Sequence, residues 1–224
     1  MLPRRAVIRS IGTVALLLMT AMPLLAQAQF VYGIGSVTVH RGGSTFTPHI
    51  GSALEQGDVI STASGATAIV QLNSNTEVKM RESTDFRIEG LGTDMVLNLE
   101  RGGLFSNIIG KIEGSFSIRA GNVVSGVRGT EYFIAYGKAI DSAPDVWLCV
   151  NRGTVAVAVE GTDQTVDVHQ GTGINVLAGS KITPPKAYGW TKELNWNMDP
   201  GHAPVQDSTN LNQAYSDLLN QDYD

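Results

Sequence analysis

Gly129-Thr130, within SGVRGTEYFIAYG (residues 125 to 137), is the pair best placed to do chemistry on the chain itself. A threonine hydroxyl held against the preceding carbonyl can attack it and move the acyl group from nitrogen to oxygen. The shift requires a strained peptide, which residue types alone do not supply. The same residues also read as the start of a strand. Gly129 permits a sharp backbone turn and Thr130 can bond locally through its hydroxyl, while Arg128 can bridge neighbouring turns to Glu131 or to backbone carbonyls. Beyond them Tyr132, Ile134 and Tyr136 share one strand face, and Phe133 and Ala135 the other.

Other candidates are thinner. Carboxylates at Asp58, Glu77, Glu82, Asp85, Glu89 and Asp94 could pair across strands for acid–base work on glycosides, or form a solvated polar face. The histidines His40, His49, His169 and His202 have no paired metal-ligand spacing, and no loop has calcium-binding spacing, so neither metal nor cofactor is expected. Cys149, the single cysteine, lies in the apolar run VWLCV and reads as a buried, inert thiol. P-loop, GxSxG and HExxH patterns are absent. Trp147, Trp190, Trp196 and Tyr136 could stack on sugar rings, or pack internally.

The elements that must position these residues are strands. From Val31 to about Leu177, short runs rich in Val, Ile, Phe and Thr alternate with period two between glycine or Asn/Ser clusters. About a dozen runs qualify, among them ATAIVQL, MVLNLE, GLFSNI, SFSIRA, EYFIAYG and TVAVAVE. LNLERGGLF, CVNRGTVAV and VHQGTGINV each place a glycine between two runs, which predicts tight reversals there. The expected fold is all-β: a compact, antiparallel-rich sandwich, roll or short β-solenoid over residues 29 to 180. Residues 181 to 224 change texture. Pro184-Pro185 and the Trp-punctuated WTKELNWNMDPGHAP predict an irregular strap in which Trp190 and Trp196 cover an end of the core. Leu211, Tyr215, Leu218 and Leu219, after Ser208 as N-cap, predict a short terminal helix.

Residues 1 to 28 read as a cleaved secretory signal. Arg4, Arg5 and Arg9 precede an apolar stretch too short to span a membrane, and Ala26-Gln27-Ala28 suits the peptidase. The Arg4-Arg5 pair leaves general or twin-arginine export open. The full chain of 224 residues has a formal charge of -5. Losing the leader removes three arginines and no acid, giving a mature charge of about -8 that argues against nucleic acid and anionic membrane as partners. A periplasmic or secreted protein is expected, with no stable membrane insertion after cleavage.

An ordered series of segments resembles the FecR domain family. GSVTVHRGG resembles its opening strand, and Leu54-Glu55-Gln56-Gly57-Asp58-Val59-Ile60-Ser61-Thr62 its Leu-x-x-Gly-Asp-x-Ile-x-Thr turn. LERGGLFSNI and FSIRAGNVVSGVRGTEYFI resemble its central strand pair, which ends in Val-Arg-Gly-Thr-x-Phe. Here Val127, Arg128, Gly129 and Thr130 match, with Phe133 displaced by one and Tyr132 in the usual aromatic place. Asn73-Ser74-Asn75-Thr76 replaces the family's Asp-Gly-Ser, and Ala120-Gly121 its Thr-Pro. The resemblance implies periplasmic signalling relatives, some of them self-processed at Gly-Thr. Those relatives carry a sigma-factor-binding segment and a membrane helix before the domain, where this sequence has an export signal. The expected function is therefore a non-enzymatic interaction, sensing or scaffold module for an unidentified envelope protein or polymer, working through exposed strand edges. The other reading is a carbohydrate- or cell-wall-binding domain.

Overall fold

A computed structural model describes residues 28–110, 113–127, 129–139, 144–211 and 213. Residues 1–27 of the expected secretory leader, Arg128, and the expected terminal helix beyond Leu211 except Gln213 lie outside the described residues. Sixteen strands are present: β1 (Gln29–Ile34), β2 (Val37–Arg41), β3 (Ser44–Phe46), β4 (Val59–Thr62), β5 (Thr67–Asn73), β6 (Thr76–Met80), β7 (Asp85–Gly90), β8 (Asp94–Ile108), β9 (Ser115–Ala120), β10 (Val123–Val127), β11 (Glu131–Ala139), β12 (Pro144–Arg152), β13 (Thr154–Val159), β14 (Thr165–His169), β15 (Gly173–Leu177) and β16 (Lys181–Ile182). They form an all-β, sandwich-like arrangement that does not close on itself.

The first sheet runs β1-β5-β6-β8-β11-β12-β15-β16 and the second β3-β2-β4-β7-β8-β9-β10-β13-β14. Every strand pair is antiparallel except β8 with β9. Both sheets share β8. Its N-terminal half pairs with β7 and β9, and its C-terminal half with β6 and β11. The runs 95 to 100 and 103 to 108, expected as two strands with a reversal between them, are thus one strand folded over at Gly102. A bulge opposite Asp85–Phe86 absorbs one residue there. Met95, Leu97 and Leu99 point into the core before it, Leu104 and Ile108 after it. An odd series has become an even one, so both halves of one strand feed the same core.

The other two glycine junctions are also joints between layers rather than hairpins. Gly153 carries the chain from β12 in the first sheet to β13 in the second, and Gly171 returns it from β14 to β15. Up to β8 the chain changes sheets on one side of the sandwich. Ile108 then leads to Ser115, which pairs with the far end of β8 at Asp94, and every later joint falls on the opposite side. Period-two alternation then sorts the side chains. Val78, Met80, Tyr132, Ile134, Val146 and Leu148 fill the space between the sheets.

The described residues beyond β16 form a third layer. The expectation was a strap over one end of the core, but it lies across the outer face of the first sheet. Phe105, Phe133, Ala135, Trp147 and Cys149 project outward from β8, β11 and β12 and are covered by Tyr188 and Leu194, with Trp196, Met198 and Leu211 at the margin. The cause is compositional: these strands are apolar on both faces, and a bare outer face would leave two phenylalanines and a tryptophan in water.

Candidate functional site

The Gly129-Thr130 pair sits where β10 hands the chain to β11. Gly129 adopts φ +67°, and Thr130 is fully buried. Its hydroxyl donates to the Thr154 carbonyl at 3.0 Å, a bond that reaches another joint. The Thr130 carbonyl accepts from the Ile108 amide at 2.9 Å, and the Gly153 carbonyl accepts from Gln170 at 3.0 Å. A Cβ on Gly153 would stand 3.0 Å from both the Gly129 carbonyl oxygen and the Thr130 hydroxyl. Successive joints are therefore stacked in contact along one side of the sandwich. Of the motif's other members, Val127 is buried at the end of β10, Phe133 lies in the outer core beneath the strap, and Arg128 lies outside the described residues.

The second motif is the turn that leads into β4 in the second sheet. Gly57 takes φ +95° and donates its amide to Ile88, whose own amide returns to the Asp58 carbonyl. The buried Asp58 carboxylate accepts from the Glu55 amide at 2.8 Å and from two Arg41 nitrogens at 2.7 and 2.6 Å. Leu54 and Ile60 anchor the flanks, and the Thr62 hydroxyl donates to the Arg81 carbonyl at 2.6 Å. Asp58→Ala removes three charge-assisted bonds while Arg41, about a third exposed, regains water. The expected loss, read by urea denaturation, is about 2 kcal/mol.

The carboxylates that might have paired for catalysis are dispersed among donors. Glu82 accepts from Gly65 and Ser64, Asp85 from Arg101, and Asp94 from Ser115, while Glu89 faces Arg119 at 3.7 Å. The histidines are equally scattered, bonded to Thr45, Ser52, Thr154 and Asp199. Among the described residues no group of three His, Cys, Asp or Glu could hold a metal ion. Cys149 is buried and its thiol pKa is pushed up by desolvation, as an inert thiol requires. Trp147 is also buried and offers no stacking face. Trp196 packs edge-on against Phe105 and spends its indole N–H on the Thr191 carbonyl. The Trp190 side chain lies outside the described residues.

Sequence reasoning missed the fastening of the strap. Lys79, buried and 4.2 Å from the centre of the Phe105 ring, donates to the Asn195 and Asn197 carbonyls. Burial lowers its pKa to about 8 against the opposing pull of Asp207 and Glu131. Arg81 meets Asp207 at 2.9 Å and donates to the Thr209 carbonyl. The alternation in EVKMR puts Lys79 and Arg81 on the outer face, but nothing nearby in sequence signals that a segment more than a hundred residues on covers it. Beside this fastening, a cleft of about 540 Å³ opens between strap and sheet, with Glu77, Asn107 and Glu131 on the sheet side and Trp196 to Pro200 on the strap.

Residues 58–155, from the Asp58 turn to the start of β13, match the family model described as FecR protein. Two crystal structures of a candidate anti-sigma factor from Parabacteroides distasonis ATCC 8503 are similar at 20% identity and a TM-score of 0.49. The similarity covers 58% of this chain and 59% of that one. No curated protein matches the chain. Of the two recognisable motifs, Gly57-Asp58 lies at the start of the matched span and Val127 to Phe133 inside it. Over residues 58–155, a little under half of its length, the chain is similar to the FecR family.

Proposed function

We propose that the chain is a non-enzymatic binding module of a regulatory or sensing kind, exported to the periplasm or beyond and acting at the cell envelope. The observation that carries this reading is the fate of the motif residues. The side chains with reactive potential, Asp58 and Thr130, are buried between strands, while the second sheet ends in a strand with a free side. Among the described residues β14 pairs only with β13. The Val159 amide donates to the Gln164 carbonyl, and in an antiparallel ladder this turns the amides of Val166 and Val168 inward and those of Thr165 and Asp167 outward. A partner's extended segment can add there. Among the described residues no helix is long and apolar enough to cross a membrane.

The test is affinity capture from envelope extract with wild-type chain and Asp167→Pro, which removes one outward amide and leaves the β13 ladder intact. Loss of the captured partner in the variant supports edge addition, and undiminished capture refutes it. Turnover of an envelope glycan or peptide that one carboxylate substitution abolishes would overturn the non-enzymatic reading.

The Gly129-Thr130 bond is, on the same reading, a permanent joint. The acceptor of the Thr130 hydroxyl proton is a backbone carbonyl, too weak a base to activate a nucleophile, and Gly153 packs over the peptide. Intact mass is expected to give one unprocessed species across this bond. Thr130→Val, near in shape, is expected to cost about 1–2 kcal/mol through the orphaned Thr154 carbonyl. Fragments split at this bond in wild type and absent in the variant would reverse the assignment.

A further inference from the structure

Of the six carboxylates singled out in the sequence, five are engaged by donors within the chain and Glu77 is not. Glu77 projects from the outer face of β6 into the cleft beside the strap, half-buried, with neither a hydrogen bond nor an ion pair to its side chain among the described residues. Desolvation, reinforced by Asp199 across the cleft, raises its pKa. The fold thus carries a carboxylate that has lost water and gained no partner, a cost that ordinary surface packing does not require.

The surroundings define what would relieve it. Glu77 and Glu131 flank Asn107 in register across the floor, and Tyr32, Ile109, Trp196 and Met198 make the walls largely apolar. The neighbouring charges are already committed. Lys79 is bonded to strap carbonyls, Arg152 to Asn107, Glu131 to Asn151, and Asp199 to His202 and Gly201. The dispersion of the acids rules out closure on one metal ion among the described residues. A cation on an apolar stem suits both floor and walls.

We propose that this cleft receives a basic side chain, the ammonium or guanidinium of a lysine or arginine on the partner protein, with Glu77 as its counter-ion. The proposal rests on the binding-module reading and assigns it a second point of contact, on the first sheet rather than at β14.

The probe is tetralysine amide, titrated calorimetrically at low ionic strength into the full chain, Glu77→Gln and Asp163→Asn. The last variant removes an equal charge from an exposed turn. Expected are saturable binding to wild type, roughly fivefold weaker binding to Glu77→Gln, an unchanged affinity for Asp163→Asn, and weakening as pH falls through the raised Glu77 pKa. Equal affinity for wild type and Glu77→Gln, or no binding to wild type, overturns the proposal. So does Glu77-dependent binding of an N-acetylglucosamine tetramer in place of tetralysine. Where Asp167→Pro abolishes capture but Glu77→Gln changes neither capture nor tetralysine binding, the module reading stands and this inference falls.

Discussion

Arg81→Ala is expected to lower the unfolding free energy by about 3–5 kcal/mol and to release the strap from the first sheet. Arg81 and Asp207 are 9% and 1% exposed at the side chain, with Nε 2.9 Å from Oδ2. The other Asp207 oxygen accepts from the Asn195 amide and the Thr209 hydroxyl, both at 2.8 Å. Truncating Arg81 leaves that carboxylate enclosed without its counter-charge and orphans the Thr209 carbonyl. The cost therefore comes from the stranded partner more than from the attraction lost. A double replacement, Arg81→Met with Asp207→Leu, should recover much of it, because neither charge then remains buried. Urea denaturation gives the energy. Amide exchange across residues 188 to 211 gives the location, with protection lost in the strap and retained in β8 and β11. A change below about 1 kcal/mol in Arg81→Ala, or exchange rising equally in both regions, would show that the pair does not fasten the strap.

What was legible in the sequence divides along the same line. Alternation exposed β5, β9, β11 and β13 because each has one continuous apolar face, and glycines marked the places where the chain turns. It did not reveal β4 or β10, where Val59-Ile60 and Val123-Val124 set apolar residues side by side and Ser or Gly breaks the period. Nor did it separate a hairpin from a joint between sheets, since Gly102, Gly153 and Gly171 meet the same local need whether the next run pairs with the last one or folds onto the other layer. The FecR-like motifs were visible as residues but not by the bonds they make. Asp58 finds Arg41, and Thr130 finds Thr154, only through pairings distant in the chain. The cleft is the extreme case. Glu77 reads as one carboxylate of six, and what distinguishes it is the absence of a donor, a property of the folded surroundings rather than of any spacing.

Gly102→Ala tests the joint on which both sheets depend. At φ +91° a residue with a Cβ is strained wherever it stands, and here there is no room either. The new carbon would fall 2.5 Å from the Thr84 Cα, 2.8 Å from the Ser83 carbonyl oxygen and closer still to the Thr84 hydroxyl. Those atoms cannot retreat cheaply. The Thr84 hydroxyl accepts from the Gly103 amide at 3.0 Å, and the Thr84 amide donates to the Thr62 hydroxyl, which links β8 to the joints before β5 and β7. Relief by straightening β8 would swing Leu104 and Ile108 off the core face. Strain and overlap together are expected to cost about 3–5 kcal/mol, enough to leave much of the variant unfolded in a domain of ordinary stability. Gly42→Ala supplies the contrast: φ is again positive, at +52°, but nothing lies within 4 Å of the added carbon. Its cost should stay near 1 kcal/mol. Thermal unfolding of the two variants side by side separates the backbone contribution they share from the steric one that belongs to the fold-over in β8. Equal losses in both would mean that the joint tolerates a side chain, and that the close stacking of β8 on Thr84 is not what holds the two sheets in register.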